Sequence, residues 1–437
     1  MEFLPNICFV IALLLGIGYF TKNVKKLIRN IKLGQAVDVS DNEPQRWRNM
    51  AMIALGQSKM VKRPIAGLLH IIVYVGFIII NIEILEIIID GLFGTHRIGL
   101  RLLPISLYGF LIGTFEVLAL LVLIAVIVFW IRRNIIKLQR FWKSEMTNWP
   151  KNDANYILYF EMVLMTLFLI MNATDVDFQA LQTGNIISNH VAPWFSGLSE
   201  NTLHLIERTA WWLHILGILV FLNYLYFSKH LHILLAFPNT FYAKLTPKGQ
   251  FNNLEAVTNE VKLMMDPNVD PFAAPAEGTD ANMPAKFGAS DVTDLNWVQL
   301  LNAYTCTECG RCTSECPANQ TGKKLSPRKI MMDTRDRLEE IGKNIDANNG
   351  AFKDDGKQLL DDYITREELW ACTTCNACVE ACPVRIDPLS IILEMRRYLV
   401  MEQSAAPVEL NNMMTNMENN GAPWPYNQMD RLNWKNE

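Results

Sequence analysis

Cys306-Thr307-Glu308-Cys309-Gly310-Arg311-Cys312-Thr313-Ser314-Glu315-Cys316-Pro317 and Cys372-Thr373-Thr374-Cys375-Asn376-Ala377-Cys378-Val379-Glu380-Ala381-Cys382-Pro383 hold eight of the nine cysteines of this chain. Both stretches read Cys-x-x-Cys-x-x-Cys-x-x-x-Cys-Pro. Three closely spaced thiolates wrap one face of an iron–sulfur cube. The fourth, set before a proline that stops the chain continuing as helix, turns away to ligate the other cube. The spacing predicts two 4Fe–4S clusters, one held by Cys306, Cys309, Cys312 and Cys382, the other by Cys372, Cys375, Cys378 and Cys316. Zinc and a disulfide framework are the alternatives. Zinc ribbons use two pairs of cysteines rather than four in one run, and disulfide scaffolds belong to small secreted domains.

Outward from these runs, the 437 residues leave room for two or three domains. Half of them are apolar, and the mean hydropathy is positive. The net charge of −4 is too small to indicate a partner, and nothing points to nucleic acid. Five apolar stretches approach or reach the roughly 20 residues needed to span a bilayer: 3–20, 65–89, 105–131, 156–171 and 210–227. The fourth is short. The first has no basic residues before it and no small-residue cleavage site, so it reads as a retained helix rather than a signal peptide. Cys8, alone in that stretch, reads as a packing residue. Gly109 and Gly113 in the third read as close helix packing.

Basic residues orient the spans. Ten Lys/Arg fall in 21–63 and six in 132–155, against two in 90–104 and one in 174–209. This places the first and third connections in the cytoplasm, the N-terminus outside, and the cysteine domain in the cytoplasm. Acid-labile clusters require the same reducing compartment. The expectation is an all-α protein: a five-helix transmembrane bundle (1–245), a proline-bearing linker with little structure (246–290; Pro247, Pro267, Pro271, Pro275, Pro284), an α-helical ferredoxin domain with two 4Fe–4S clusters (291–402), and a tail (403–437) with Trp424 and Trp434. The setting is a bacterial inner membrane, with lipid around the bundle.

None of the seven histidines lies in the cysteine domain. His70 sits near the cytoplasmic start of the second span, His214 in the fifth and His232 just beyond it. On one continuous helix the 18 residues from His214 to His232 make five turns, about 27 Å, so both would share a face. Two stacked ligand positions facing another helix are how a bundle holds b-haem across a membrane; a hydrogen bond to a neighbouring helix is the alternative. His230 and Lys229 read as interfacial. Glu83, Glu86 and Asp90 follow i, i+3, i+7 with Asn81 nearby. They face the bundle interior, either to serve a quinol or to pair with groups such as Arg97.

The five-helix part resembles the cytochrome b (gamma) subunit of respiratory nitrate reductase. Leu69-His70 with Gly76 is similar to that family's second helix, and His214 and His232, the latter before Pro238, to its fifth-helix ligands. The resemblance implies one haem between His70 and His232. The family's outer haem would need a histidine where Ile80 stands, so a second haem at His214 requires a partner such as His96, His190 or His204. From about 291 the chain resembles the C subunit of heterodisulfide reductase and the iron–sulfur portions of electron-transfer-flavoprotein oxidoreductases and glycolate, lactate and glycerol-3-phosphate dehydrogenases. Glu418-Asn419-Asn420-Gly421-Ala422-Pro423-Trp424 and Arg431-Leu432-Asn433-Trp434 carry that likeness into the tail. In fused relatives this tail leads into paired Cys-Cys-Gly motifs, absent here, which implies a separate cytoplasmic subunit bearing them. A flavoprotein or electron-transfer flavoprotein is a further partner. The resemblance implies the quinone-linked electron-transfer subunit of a multi-subunit oxidoreductase, with no substrate site of its own. A haem-less iron–sulfur anchor and a membrane redox sensor are the rival functions.

Overall fold

The computed structural model describes residues 3–247, 249–267 and 286–436. Five helices are long and apolar enough to cross a membrane: α1 (Leu4–Ile31), α2 (Pro64–Phe93), α3 (Ile105–Asn134), α4 (Trp149–Thr174) and α5 (Glu200–Tyr224). The fourth span, the short one by hydropathy, is a full 26-residue helix. Its first turns carry Asn and Asp, which hide it from a hydropathy window. Each helix packs on the next in chain order and α5 closes back on α1, giving a ring. Phe115, Ala119, Phe168 and Ile215 fill its centre. α1 is the least enclosed, with most of its apolar surface facing outward. Cys8 is exposed there rather than packed.

Gly109 and Gly113 serve a different neighbour from the expected helix. A Cβ at Gly109 would collide with Thr183, and one at Gly113 would lie 2.8 Å from Ile186 Cδ1. The small residues therefore admit the loop that follows α4.

α5 ends through a 3-10 turn at Leu225–Phe227, and Ser228 is extended (φ −113°, ψ 147°). After a second 3-10 turn, α6 (His232–Phe241) begins at His232 itself. His214 and His232 are thus on different helices, and the five-turn spacing does not apply. Within the stretch read as an unstructured linker, α7 (Glu255–Met265) forms. Pro271, Pro275 and Pro284 lie outside the described residues.

The cysteine domain is built on α8 (Trp297–Thr305), α9 (Pro327–Ala347) and α10 (Pro388–Met401). Asn296 and Gln299 form a capping box at the start of α8. Ser326 caps α9 and Asp387 caps α10, each with proline at the first helical position, where its fixed φ and missing N–H cost nothing. Leu300, Ile330, Leu338, Ile391 and Met395 are fully buried between them. That core runs on through Leu27, Ile157, Phe221, Leu225 and Leu231 of the bundle. The two parts therefore share one hydrophobic core at one end of the ring. Among the described residues there is no strand, only two isolated bridges. After α10, α11 (Val408–Asn420) and the tail are largely exposed, Trp424 and Trp434 included.

Candidate redox site

The two cysteine runs adopt one backbone design. In the first, Glu308 and Gly310 have positive φ (54° and 71°); in the second, Thr374 and Asn376 do (55° and 60°). These left-handed residues on either side of Cys309 and Cys375 coil each loop so that three sulfurs converge. Glycine, or asparagine in its place, is the residue type that adopts this conformation readily. Short helices at Arg311–Glu315 and Ala377–Ala381 follow and pack on each other. Cys316 and Cys382 then leave their helices in extended conformation (ψ 117° and 125°), before Pro317 and Pro383.

The thiols fall into two sets. Cys306, Cys309, Cys312 and Cys382 interact electrostatically with one another, and Cys316, Cys372, Cys375 and Cys378 form the other neighbourhood, with Cys378 also near Cys312. The first set borders a partly open recess of about 380 Å³ not filled by protein atoms, together with Cys378, Arg328 and Pro383. Burial pushes the Cys306 thiol up to about 12 and that of Cys382 to about 11. An isolated thiolate is therefore costly here, and the donor set fits a cationic iron cluster that holds sulfur as thiolate. Backbone N–H groups of Thr374 and Ile386 donate to Cys372 Sγ (3.4 Å) and Cys382 Sγ (3.3 Å). Such bonds raise cluster potentials. Cys375 is exposed, while Cys306, Cys316, Cys378 and Cys382 are buried.

His70 on α2 and His232 at the start of α6 face each other with ring centroids 6.4 Å apart. Two imidazoles sharing one metal at about 2 Å from each nitrogen put their ring centres roughly 6 Å apart, so the pair fits bis-histidine ligation. His232 Nδ1 donates to the Lys229 carbonyl (3.2 Å), leaving Nε2 as the lone-pair nitrogen, the arrangement usual for metal-ligating histidine. Burial lowers His232 to about 4, which keeps it neutral. His70 Nδ1 and the Tyr74 hydroxyl, one helical turn apart, are buried without a protein partner. Orphaned polar atoms beside a histidine pair also suit a bound polar group. His230, read from the sequence as interfacial, lies edge-on to His232 (5.4 Å) and tilted against Phe221 (5.5 Å). The break at Ser228 turns it inward.

The histidine pair and the first cysteine loop meet at the shared end of the bundle. Arg311 lies close enough to His70 to interact electrostatically. Its guanidinium donates to the Met60 carbonyl (3.4 Å), in the loop leading to α2. Lys229, next to His230, donates to Glu308 and to the Pro150 carbonyl (2.6 Å). Burial pushes the Glu308 carboxyl up, but Lys229 and Arg335 outweigh it and hold it down at about 2. Arg328, fully buried, donates to Glu145 Oε1 (2.8 Å) and the Arg140 carbonyl (2.6 Å) in the loop before α4. Arg63 pairs with Glu315, Lys62 with Glu380, and Lys26 and Arg29 with Asp346. Basic residues counted in the loops thus also clamp the cysteine domain. The sequence reading missed this, because their acidic partners lie hundreds of residues away.

His214 is buried on α5 and donates from Nδ1 to the Leu164 carbonyl (3.0 Å). No second imidazole among the described residues joins it. His96, His190 and His204 are exposed; His96 Nε2 sits 3.2 Å from Asp175 and His204 near Glu207. Ile80 and His214 instead line a common chamber with Glu83 and Glu161. Of the three acidic residues on α2, Asp90 accepts from the Arg97 and Ile98 amides (2.8 and 3.2 Å), a structural role. Glu86 accepts from the Gly99 amide (2.9 Å) and the Tyr108 hydroxyl (3.2 Å). Only Glu83 keeps a buried oxygen with no partner. Glu161 escaped notice in the sequence, although a carboxylate inside the fourth apolar stretch was the available signal.

Residues 305–386 match the 4Fe-4S dicluster domain family. The whole chain is similar to the probable iron-sulfur-binding oxidoreductase FadF of Bacillus subtilis, 29% identical over 98% of this chain and 60% of the relative. It is also similar to the EtfAB:quinone oxidoreductase of Syntrophomonas wolfei, 26% identical over 91% of this chain and 55% of that protein. Its cysteine domain is similar to the C subunit of the ferredoxin/F(420)H(2)-dependent CoB-CoM heterodisulfide reductase of Methanosarcina acetivorans, 37% identical over 24% of this chain and 52% of that one. The chain thus spans a little over half the length of the two relatives that match it nearly end to end. No solved structure matches it significantly. A five-helix apolar bundle and a 4Fe-4S dicluster domain in one chain, with iron–sulfur oxidoreductases as relatives, indicate an electron-transfer role in an oxidoreductase system.

Proposed function

We propose that this chain is a membrane-bound electron-transfer subunit relaying electrons between the quinone pool and a cytoplasmic oxidoreductase partner. The observation that carries this reading is the meeting of the His70–His232 pair with the first cysteine loop, through Arg311, at the end of the bundle where the two parts share a core. His70 and His232 hold a single b-haem. Cys306, Cys309, Cys312 and Cys382 hold the nearer 4Fe–4S cluster, and Cys372, Cys375, Cys378 and Cys316 the farther one. Haem and clusters supply one-electron chemistry. The protein fixes their order, excludes water with the shared core, and donates N–H bonds to the sulfurs.

The exposed Cys375 puts the second loop at the surface, where a partner comes within reach. The exposed Trp424 and Trp434 of the tail suit such a partner, as large aromatics anchor interfaces. A domain with paired Cys-Cys-Gly motifs, or an electron-transfer flavoprotein, is the partner class. A relative named as an EtfAB:quinone oxidoreductase supports that choice and the quinone. The bundle lies in a bacterial inner membrane with the N-terminus outside and the cysteine domain in the cytoplasm. The basic loops at that end support this orientation.

Haem and non-haem iron per chain, with reduced-minus-oxidised spectra on anaerobically purified protein, test the reading. One b-haem with about eight irons, and loss of the haem in His70→Ala and His232→Ala, is the expected result. Iron without haem would refute the haem relay and leave a cluster-bearing anchor.

A further inference from the structure

A chamber around His214, about 620 Å³ of space not filled by protein atoms and partly open to the surroundings, lies between α2, α4 and α5. Ile84, Ile87, Leu164, Met165 and Ile218 make most of its wall. Asn81, Glu83, Glu161 and His214 supply the polar points. Glu83, Glu161 and His214 are all more than nine-tenths buried. An apolar slot with a few convergent polar groups is the form of a small-molecule site. Two carboxylic groups in the apolar interior of a membrane bundle are expensive unless they do something.

The polar atoms are aimed at a ligand. Glu83 Oε2 is buried with no partner. Because His214 Nδ1 is committed to the Leu164 carbonyl, its other nitrogen is the acceptor that remains. A b-haem in the chamber would need a second axial imidazole, and Ile80 stands on the wall where one is missing. We infer that the chamber binds the ring of a lipid hydroquinone, one hydroxyl donating to His214 Nε2 and the other to Glu83. This rests on the electron-transfer reading above.

The surroundings match what such a ring exchanges. Oxidation breaks two O–H bonds and turns two C–O bonds into C=O, releasing two protons and two electrons; reduction is the reverse. A haem held by His70 and His232 would supply the one-electron acceptor, taking the two electrons in turn. Phe221 connects the sites: it lines the chamber and lies tilted against His230, which meets His232 edge-on. Protons have a separate way out. Glu83 and Ile87 border both the chamber and a polar cleft of about 290 Å³ lined by Glu86, His96, Asp175 and Glu207. That cleft lies at the end of the bundle away from the cysteine domain, where Arg97 ties Asp175 (2.6 Å) to Asn172 (2.9 Å). Electrons leave toward the clusters and protons toward the opposite face.

The test uses the full chain, reconstituted with its iron and haem in lipid nanodiscs, anaerobically. Menadiol-driven haem reduction is timed by stopped flow, and binding is read by quenching of a fluorescent hydroxyquinoline-N-oxide quinol analogue. Glu83→Gln and Glu161→Gln, both isosteric, are expected to slow menadiol-driven reduction roughly a hundredfold, the scale of a lost proton acceptor, while dithionite still reduces haem and clusters fully. Ile84→Trp, which fills the chamber and leaves both carboxylates in place, is expected to abolish quenching. Wild-type rates in both Gln variants, or undiminished quenching in Ile84→Trp, would overturn the chamber. Wild-type protein reduced by dithionite but never by menadiol would overturn the parent electron-transfer reading as well. If a Gln variant fails to assemble, the Ile84→Trp titration still decides.

Discussion

Replacing Arg328 by Met should uncouple the cysteine domain from the bundle. Arg328 is 0% exposed and its side chain makes three hydrogen bonds. One is charge-assisted, to Glu145 at 2.8 Å; the others go to the carbonyls of Arg140 (2.6 Å) and Glu308 (3.4 Å). Methionine keeps the apolar stem but leaves the Glu145 carboxylate without its cationic partner, held by the Ser326 hydroxyl (2.7 Å) and its own backbone amide. Breaking a buried ion pair from one side costs about 3–5 kcal/mol, because the remaining charge stays desolvated. With a urea dependence of roughly 1–3 kcal/mol per molar, a 3 kcal/mol loss lowers the unfolding midpoint by about 1–3 M. Urea titration of the detergent-solubilised protein, followed by loss of cluster absorbance and by tryptophan fluorescence, reads that shift. In the double-mutant cycle, Glu145→Gln should recover part of the loss, with a coupling of about 1.5–3 kcal/mol. A coupling below about 0.5 kcal/mol, the noise of independent sites, would refute the claim that this pair joins the domains.

Acid should act on the same contact. Burial raises the Glu145 carboxyl, but the Ser326 and Arg328 bonds prevail and hold it below its ordinary value of 4.5. Its stabilising contribution is complete above pH 4.5 and is lost as pH falls below that. Arg328→Met should flatten this acid limb, which paired urea titrations at two pH values would show. Cys316→Ser should disturb the cluster of Cys372, Cys375 and Cys378 and spare that of Cys306, Cys309 and Cys312. Electron paramagnetic resonance of the reduced protein separates the two; loss of the first-run signal would contradict the crossed ligand sets. Gly109→Ala should destabilise the bundle by about 1–3 kcal/mol through overpacking against Thr183, and a Thr183→Ala background should relieve most of that loss in a thermal melt.

Much of this protein was legible in its sequence because the chemistry is local. A cysteine run needs its ligands within a dozen residues and a proline to turn the last one away, so spacing alone points to the 4Fe-4S dicluster domain family that residues 305–386 match. Hydropathy counts spans because lipid demands about 20 apolar residues in a row. The likeness to iron–sulfur oxidoreductases followed from those same cysteine runs. Other features depended on where the backbone bends and what lies opposite. Helical arithmetic put His214 and His232 on one face; the break at Ser228 separates them and swings His230 in. Periodicity grouped Glu83, Glu86 and Asp90 together, yet Asp90 is used up by the Arg97 loop and, of the three, only Glu83 lines the His214 chamber that Glu161 also borders. Charge bias in the loops was visible, but the buried pairs Arg328–Glu145 and Lys229–Glu308 join residues 183 and 79 positions apart. Chain order carries the candidate cofactor ligands and the number of apolar helices, since those signals are contiguous or periodic. Which carboxylate stays unpaired, which histidines meet and how the two parts lock emerge from packing alone, because desolvation and ion pairing depend on neighbours that chain order does not reveal.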